Sequence, residues 1–218
     1  ADMGVTGPKI ILSADPTVIL PAADAGTVDG LMAECALKPD GQYICFTLRP
    51  WPGFEEKTGA LAAGARYAYE KYGLTPVFLP IEERLDAPAA GKVAARLGGV
   101  PYVMVPQCVR SSHVIGMFAR MKLVVSMRLH ALVFAAGQGV PLVGVVYDQK
   151  VSSFLDYIGQ DLYMDLKDAT EDKLCAAIDK AAARMDDREF LLSGVERLRS
   201  VEGRNSETAA RLLRGETL

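Results

Sequence analysis

The sequence has no cluster of lysine or arginine, although it contains 24 of these residues among 218. They are spread along the chain and are outnumbered by 27 acidic residues, so the formal net charge is −3. Proteins that bind nucleic acid or anionic membrane surfaces concentrate positive charge in one region. The composition therefore argues against both as the main partner.

Cysteine is also scarce. The four cysteines, Cys35, Cys45, Cys108 and Cys175, are widely separated and form no CxxC pair. This spacing argues against a disulfide framework and against a zinc site, and no other cluster of metal ligands stands out. We predict a cytoplasmic protein with reduced thiols, without metal or organic cofactor.

Two further absences narrow the class of protein. No stretch approaches the ~20 uninterrupted apolar residues of a membrane span, and the first residues lack the basic region of a signal peptide. Gly137 and Gly139 do not form a GxGxxG sequence, so a dinucleotide fingerprint is missing. We expect neither a transmembrane segment nor a dinucleotide site.

The dominant pattern is an apolar, β-prone run followed by a helical stretch, repeated along the chain. The runs that predict strands are 43–48, 75–80, 101–106, 122–126, 140–147 and 161–164, and those that predict helices are 55–73, 86–99, 111–121, 128–139 and 149–159. Strands that are apolar throughout belong to a parallel sheet covered on both faces. The alternation predicts an α/β fold, with a Rossmann-like, doubly wound parallel sheet.

The two ends of the chain depart from this rhythm. Residues 8–21 predict one strand with a turn at Asp15-Pro16, and the following PAADAG is linker-like. We interpret residues 1–40 as the tail of a preceding domain plus a linker, and residues 41–218 as the C-terminal domain. From Asp168, which resembles a helix N-cap, the pattern is helical to the end.

A candidate ligand site lies in the segment 126–136, where an apolar strand ends and a helix begins. Arg128 and His130 occupy the first turn of that helix, off its apolar face. Ligands of open α/β sheets bind outside the carboxyl ends of the strands, where helix N-termini favour anions. The alternative is that both residues are solvated or paired structural groups.

Arg49 follows the first complete strand and should open onto the same edge of the sheet. Two arginines beside a histidine make a receptor for a small, multiply charged anion, because a guanidinium matches carboxylate and phosphate geometry. Arg49 could equally be a loop residue that binds backbone carbonyls.

The remaining candidates are weaker. Asp148 and Lys150 follow another strand and could contact a ligand, but Asp148 is also a good N-cap residue. Glu82, Glu83 and Asp86 follow the strand at 75–80 and could reach a sugar hydroxyl, although a solvated acidic loop is the simpler interpretation. His113 is interpreted as a helix-start residue without a catalytic role.

The segment SMRLHALVFAAGQGVPLVGVVYDQKVSSFLDYIG at 126–159 resembles the C-terminal signature of the polysaccharide pyruvyl transferase family, notably its cell-surface-anchoring type. FTLRPW at 46–51 and ILSADPTVIL at 11–20 resemble other segments of that family, so the likeness spans roughly residues 8–165. Gln149 departs from the pattern, in which a proline is expected.

The resemblance implies the C-terminal half of a GT-B-type fold and an enzyme that transfers pyruvate from phosphoenolpyruvate to two hydroxyls of a sugar, forming a cyclic ketal. Phosphoenolpyruvate would be a co-substrate, with Arg49 and Arg128 binding it and His130 catalytic. The acceptor would be a lipid-linked or nucleotide-linked saccharide of the cell wall, and a lipid-linked one would bring the enzyme to the membrane surface. Two alternatives stay open: a GT-B-type glycosyltransferase half that binds a nucleotide sugar, and a non-catalytic fragment.

Overall fold

The computed structural model describes residues 10–106, 108 and 110–216. Six strands form one sheet: β1 Tyr43–Thr47, β2 Thr75–Phe78, β3 Val103–Met104, β4 Leu123–Ser126, β5 Leu142–Val146 and β6 Tyr163–Asp165. The helices are α1 Ala25–Glu34, α2 Thr58–Tyr72, α3 Glu83–Ala94, α4 Ser111–Phe118, α5 Leu129–Gly137, α6 Gln149–Tyr157, α7 Glu171–Ala182 and α8 Arg188–Leu213. Short 3₁₀ turns span Pro16–Ile19, Glu55–Lys57 and Leu166–Asp168.

The sheet is parallel throughout, with the strand order β3-β2-β1-β4-β5-β6. Strand order reverses between β1 and β4, because the chain adds β2 and β3 on one side of β1 and then returns to its other side. The predicted doubly wound α/β fold is confirmed. In such sheets the reversal point opens a crevice at the carboxyl ends of the two central strands.

Apolar side chains of the central strands pack in two separate cores, one on each face of the sheet. Ile44 and Phe46 of β1 face the core formed with α2, α3 and α7, and Cys45 between them faces the core formed with α1, α4, α5, α6 and α8. This division explains why the strands are apolar at every position rather than at alternate ones. Burial raises the pKa of the Cys45 thiol, which keeps that thiol neutral and unreactive.

The sequence predictions for the first forty residues are partly wrong. Residues 10–21 form no strand, and Pro16–Ile19 is a 3₁₀ turn that begins when Asp15 accepts the Thr17 N–H at 2.8 Å. The linker-like PAADAG runs into α1, which Asp24 caps by accepting the Thr27 N–H at 2.9 Å. Local capping by aspartate outweighed the β-prone and linker-like composition. The division of the chain at residue 40 stays a prediction.

Two smaller predictions in the rest of the chain also need correction. Thr170, not Asp168, caps α7, because Asp168 already ends the preceding 3₁₀ turn. The strand predicted at 101–106 is only two residues long. In contrast, Gly73 ends α2 in the left-handed conformation with φ +67°, as expected for a glycine C-cap.

The C-terminal helix α8 fastens the N-terminal segment to the domain. The Ser13 hydroxyl donates to the Val201 carbonyl at 2.9 Å, and the Asn205 amide donates to the Ala14 carbonyl at 2.9 Å. Arg199 bridges the carbonyls of Val18 and Gly137, at 3.1 Å each. These hydrogen bonds hold residues 13–18 beside α5, next to the candidate site.

A cluster of polar side chains joins α2 to α7 and makes the stability of the fold depend on pH. Lys71, Tyr72 and Tyr67 all hydrogen-bond to Asp179, and these bonds, that from Lys71 foremost, hold the pKa of Asp179 below its usual value. A carboxylate with a lowered pKa stabilises the fold above its unfolded pKa of about 3.9 and loses that contribution as the pH falls through its folded pKa. The effect is small, because the side chains of Lys71 and Asp179 are 46% and 36% exposed.

We expect Asp179→Asn to lower stability slightly at neutral pH, and we expect this loss to disappear as the pH falls through the lowered folded-state pKa of Asp179. Urea unfolding across the acid range measures this difference. Asp172→Asn, an equivalent charge removal on the exposed face of the same helix, is the control. Equal losses for Asp179→Asn at neutral and acid pH would contradict the assignment.

Candidate active site

The crevice between β1 and β4 is closed at its base by two buried hydroxyls. Thr47 and Ser126 end these strands as register partners, and their side chains hydrogen-bond to each other. Ser126 Oγ also accepts the Arg128 N–H at 2.9 Å. Because Arg49 and Arg128 each follow one of these paired residues by two positions, both leave the same edge of the sheet on either side of the crevice.

Arg128 is anchored by a buried carboxylate. Its Nε donates to Asp86 at 2.9 and 3.1 Å, and its Nη2 donates to Asp86 Oδ1 and to Glu82 Oε2, the latter at 3.4 Å. Asp86 is 1% exposed and also accepts the backbone N–H groups of Ile81 and Glu82, at 2.9 and 2.8 Å. The Asp86 carboxylate thus fixes the orientation of the Arg128 guanidinium by binding its Nε and Nη2.

This arrangement corrects the interpretation of the acidic segment after β2 as a solvated loop. Glu83 is exposed in the first turn of α3, whereas Asp86 is buried. A buried carboxylate is costly unless it is paired and hydrogen-bonded, and Arg128 with two backbone N–H groups meets that need. Among the described residues, Nη1 of Arg128 has no hydrogen-bond partner, so this nitrogen of the guanidinium is available to a ligand.

Arg49 lies in an aromatic setting. Its Nη1 donates to the Tyr147 hydroxyl at 3.0 Å, and its guanidinium carbon lies 5.3 Å from the Tyr147 ring centroid and 5.5 Å from that of Trp51. The two rings contact each other, with centroids 4.5 Å apart. Nε of Arg49 is buried and has no partner within the part of the chain that the structure describes. A buried guanidinium N–H without a partner is unusual, but an atom closed to solvent does not meet a ligand in this conformation. Nη2 of Arg49 is not buried and has no hydrogen-bond partner in the described residues, so it is the group that can donate to an anion.

His130 faces a third set of neighbours. Its side chain is 49% exposed, with Nε2 at 3.7 Å from Asp15 Oδ2 and the ring stacked on Phe134 at 6.2 Å. Partial burial alone would raise the pKa of Asp15, but hydrogen bonding from Thr17 and the nearby His130 hold it below its usual value. The Asp15 carboxylate is therefore ionised at neutral pH and can orient the imidazole.

The three residues predicted to form the site thus start from one edge of the sheet but point to different partners. Arg128 contacts residues that follow β2, Arg49 contacts residues that follow β1 and β5, and His130 contacts the 3₁₀ turn near the N-terminus. No contact between the described residues joins the three side chains to one another. Their convergence on one anion stays a prediction.

The other candidates occupy the neighbouring strand ends. Asp148 caps α6 by accepting the Lys150 N–H at 2.9 Å, which agrees with the capping interpretation. Lys150 Nζ lies 5.8 Å from the Tyr147 ring centroid, on the same aromatic group that contacts Arg49. His113 lies in the first turn of α4.

Comparison with known proteins adds independent evidence. The sequence model of the family described as polysaccharide pyruvyl transferase matches residues 1–149 of this chain. The chain belongs to the polysaccharide pyruvyl transferase family. The match includes Arg49, Arg128 and His130, and it covers the segments 11–20 and 46–51 and residues 126–149 of the segment 126–159. No curated protein matches the chain.

Among solved structures, the chain resembles nucleotide-sugar enzymes in fold. UDP-GlcNAc 2-epimerase of Methanocaldococcus jannaschii, in complex with UDP-GlcNAc and UDP, has a TM-score of 0.64 at 12% identity, over 91% of this chain and 56% of that one. The Neisseria meningitidis UDP-GlcNAc 2-epimerase bound to UDP-GlcNAc has a TM-score of 0.64 at 9% identity, over 87% and 50%. The E. coli ADP-heptose LPS heptosyltransferase II has a TM-score of 0.55 at 14% identity, over 75% and 53%.

These similarities confirm the predicted Rossmann-like, GT-B-type domain, and at such low identity they show the fold alone. This pyruvyl transferase family member spans about half the length of the solved structures it matches. Within the described residues, no helix has the length and apolar character needed to cross a membrane.

Sequence reasoning missed the residues that hold the arginines of this pyruvyl transferase family member. From the sequence, Tyr147 is only the end of an apolar strand, and no pattern assigns a role to Trp51, although it is the single tryptophan. Asp86 carried a weak signal, as an acidic residue after a strand, but nothing in its neighbours' sequence indicated burial. A partner separated by 42 positions, as Arg128 is from Asp86, is visible only once the sheet is assembled.

Proposed function

We propose that this protein is the part of a pyruvyl transferase that binds phosphoenolpyruvate and transfers its pyruvate to a sugar of a cell-wall polysaccharide precursor as a cyclic ketal. The observation that carries this proposal is the position of Arg49 and Arg128 on either side of the β1–β4 crevice. Each has a terminal guanidinium nitrogen, Nη2 of Arg49 and Nη1 of Arg128, that is not buried and has no hydrogen-bond partner in the described residues. Family membership supports the same reaction class. The cytoplasm is the compartment that fits reduced thiols.

The two arginines differ in what they offer an anion. Arg128 is already paired with Asp86 and contacts Glu82, so much of its charge is compensated and it contributes directed hydrogen bonds rather than long-range attraction. Arg49 contacts a hydroxyl and two aromatic rings but no carboxylate in the described residues, so its full charge can face the ligand. Phosphoenolpyruvate has one carboxylate and one phosphate, which matches two guanidinium groups of this kind.

The reaction requires charge stabilisation and the movement of two protons. Two acceptor hydroxyls form two C–O bonds to C2 of phosphoenolpyruvate, while the C2–O bond to phosphate breaks and the C2=C3 double bond is lost. One hydroxyl proton is balanced by the proton that C3 gains to become a methyl group, and the other leaves with phosphate. Arginine next to the departing phosphate stabilises its developing charge.

His130 is proposed to handle one of these protons. An imidazole can deliver a proton to C3 or remove one from an attacking hydroxyl at neutral pH. Its exposure and its contact with the ionised Asp15 are compatible with either role. In both cases the imidazole must meet the donor in the crevice that Arg128 borders.

A second function is favoured by the comparisons. The solved structures with the same fold include enzymes bound to UDP-GlcNAc, so the arginines could instead hold the pyrophosphate of a nucleotide sugar. Within the proposed reaction, a nucleotide-linked or lipid-linked saccharide would be the acceptor, and a lipid-linked one would be reached at the membrane surface. A fragment that binds without catalysis is the third possibility.

A melting experiment separates these functions. A ligand that binds only the folded state stabilises it by about 2.7 kcal/mol at 100 times its Kd, so we expect phosphoenolpyruvate to raise the melting temperature and UDP, which carries a pyrophosphate but no acceptor sugar, not to do so. Arg49→Gln should abolish the increase. Arg66→Gln, on the exposed face of α2 where Arg66 donates to the Arg96 carbonyl, should retain it.

Stabilisation by UDP alone would favour the glycosyltransferase. An increase with phosphoenolpyruvate that survives Arg49→Gln would show that the anion binds elsewhere. If neither ligand changes the melting temperature, the donor site proposed for this chain is wrong.

A further inference from the structure

A cavity of about 430 Å³ lies at the carboxyl edge of the sheet, beside Arg49 and distinct from the β1–β4 crevice. The loop after β1 supplies one wall through Trp51, the junction of β5 and α6 supplies a second through Tyr147, Asp148 and Gln149, and the turn after β6 supplies a third through Asp165 and Lys167. Its volume is in the range of sites that bind small molecules. None of these residues except Asp148 was a site candidate from the sequence.

The walls combine an aromatic surface with hydrogen-bonding groups. Trp51 is 39% exposed and forms part of the cavity wall, while the Tyr147 ring contacts its indole from one side. Asp148 uses one oxygen to cap α6, and a carboxylate has about four lone-pair sites, so it can accept further bonds. A saccharide ring presents an apolar C–H face and a rim of hydroxyl donors, which such walls match.

Charge argues against phosphoenolpyruvate as the occupant. Two carboxylates, Asp148 and Asp165, line the cavity, and the one ammonium group among its lining residues, that of Lys167, lies 3.6 Å from Asp165. Arg49 and Lys150 contact the Tyr147 ring but do not line the cavity. A multiply charged anion would be repelled by the two carboxylates, whereas neutral hydroxyls donate readily to carboxylates. The cavity and the arginine crevice are therefore suited to different ligands.

We infer that this cavity binds the acceptor of the reaction through a neutral, hydroxyl-rich pyranose ring stacked on Trp51, with Asp148 and Asp165 accepting from its hydroxyls. The role as acceptor site rests on the proposed pyruvyl transfer. Arg49 connects the two ligands, because its guanidinium contacts both Trp51 and Tyr147, which line the cavity. A ring bound there would lie next to a donor bound at Arg49, as a ketal-forming reaction requires.

The single tryptophan of the chain makes occupancy directly measurable, since all indole fluorescence comes from Trp51. We expect titration with a panel of methyl hexosides and methyl N-acetylhexosaminides to change Trp51 emission in a saturable manner for at least one sugar. UDP, which lacks the pyranose ring, should not do so.

Matched variants test the carboxylates. Asp148→Asn keeps the N-cap, because asparagine caps helices as well as aspartate does, and Asp165→Asn breaks only an exposed ion pair. Each should weaken the sugar's Kd about tenfold through loss of a charge-assisted hydrogen bond. The control is Asp24→Asn at the N-cap of α1, outside the cavity, and should leave the Kd unchanged.

Three results would overturn the inference: no saturable change with any sugar of the panel, a change with UDP but with no sugar, or sugar binding that is insensitive to both carboxylate variants. Failure of the donor proposal is detected separately, by the melting response to phosphoenolpyruvate and its dependence on Arg49. If sugars bind but phosphoenolpyruvate causes no response, the cavity is still a saccharide site, but the proposed pyruvyl transfer is wrong.

Discussion

Replacing Arg128 with methionine is expected to destabilise the protein by about 3–5 kcal/mol, the typical cost of removing one partner from a buried ion pair. Methionine keeps much of the apolar stem but leaves Asp86, which is 1% exposed, without its cation. The two backbone N–H groups that Asp86 accepts cannot compensate for the lost guanidinium. Equilibrium unfolding in urea measures the effect.

The double variant Arg128→Met, Asp86→Asn separates structural from functional loss. An asparagine at position 86 can still accept the backbone N–H groups of Ile81 and Glu82 but carries no charge, so we expect it to restore at least half of the lost stability. Stabilisation by phosphoenolpyruvate should not return, because the donor fork is still missing. Losses that simply add in the double variant would contradict the ion pair, since residues in direct contact are expected to couple.

The pairing of Arg128 with Asp86 also has a consequence for substrate binding. A guanidinium held by a buried carboxylate on its Nε side has little freedom left to lose when a ligand binds, which lowers the entropic cost of binding. The Asp86 carboxylate in turn reduces the positive charge available to the ligand. Arg128 is thus an oriented hydrogen-bond donor, and Arg49 has to supply most of the attraction for an anion.

The sheet could be predicted from the sequence because the periodic signal is local and repeated. Each apolar run from β1 to β6 is bounded by a turn residue or a helix, and a chain with six such units has few ways to bury strands on both faces. The N-terminal segment failed because its signals conflict: β-prone residues at 10–12 are followed by Asp15 and Asp24, whose capping bonds decide the local structure.

The site was predictable only in part, for a similar reason. Arg49 and Arg128 were found because each follows a strand, and the position of strand ends can be derived from the sequence. Their partners Tyr147 and Asp86 lie 98 and 42 positions away, and those contacts depend on the strand order. The direction in which each guanidinium points is therefore a tertiary property, and the sequence carries no local signal for it.

Replacing His130 with alanine, unlike Arg128→Met, is expected to change stability little while causing a large loss of turnover. The imidazole is 49% exposed and its nearest carboxylate oxygen, on Asp15, lies at 3.7 Å, so the free energy of unfolding should change by no more than about 0.5 kcal/mol. If His130 moves a proton in the reaction, phosphate release from phosphoenolpyruvate in the presence of the sugar that binds at Trp51 should fall by roughly 10²–10⁴.

The second histidine provides the control. His113 is the only other imidazole of the chain and lies on α4 beside a different cavity, with Cys35 and Cys108, so His113→Gln should keep the rate. The pH profile then assigns the role of His130: a proton donor must be protonated, so activity would be lost as the pH rises, and a proton acceptor must be neutral, so activity would be lost as the pH falls. The limb that belongs to His130 should disappear in His130→Ala. A residual rate in that variant equal to the parent's would remove His130 from the mechanism and leave Asp15 and Phe134 as its structural partners only.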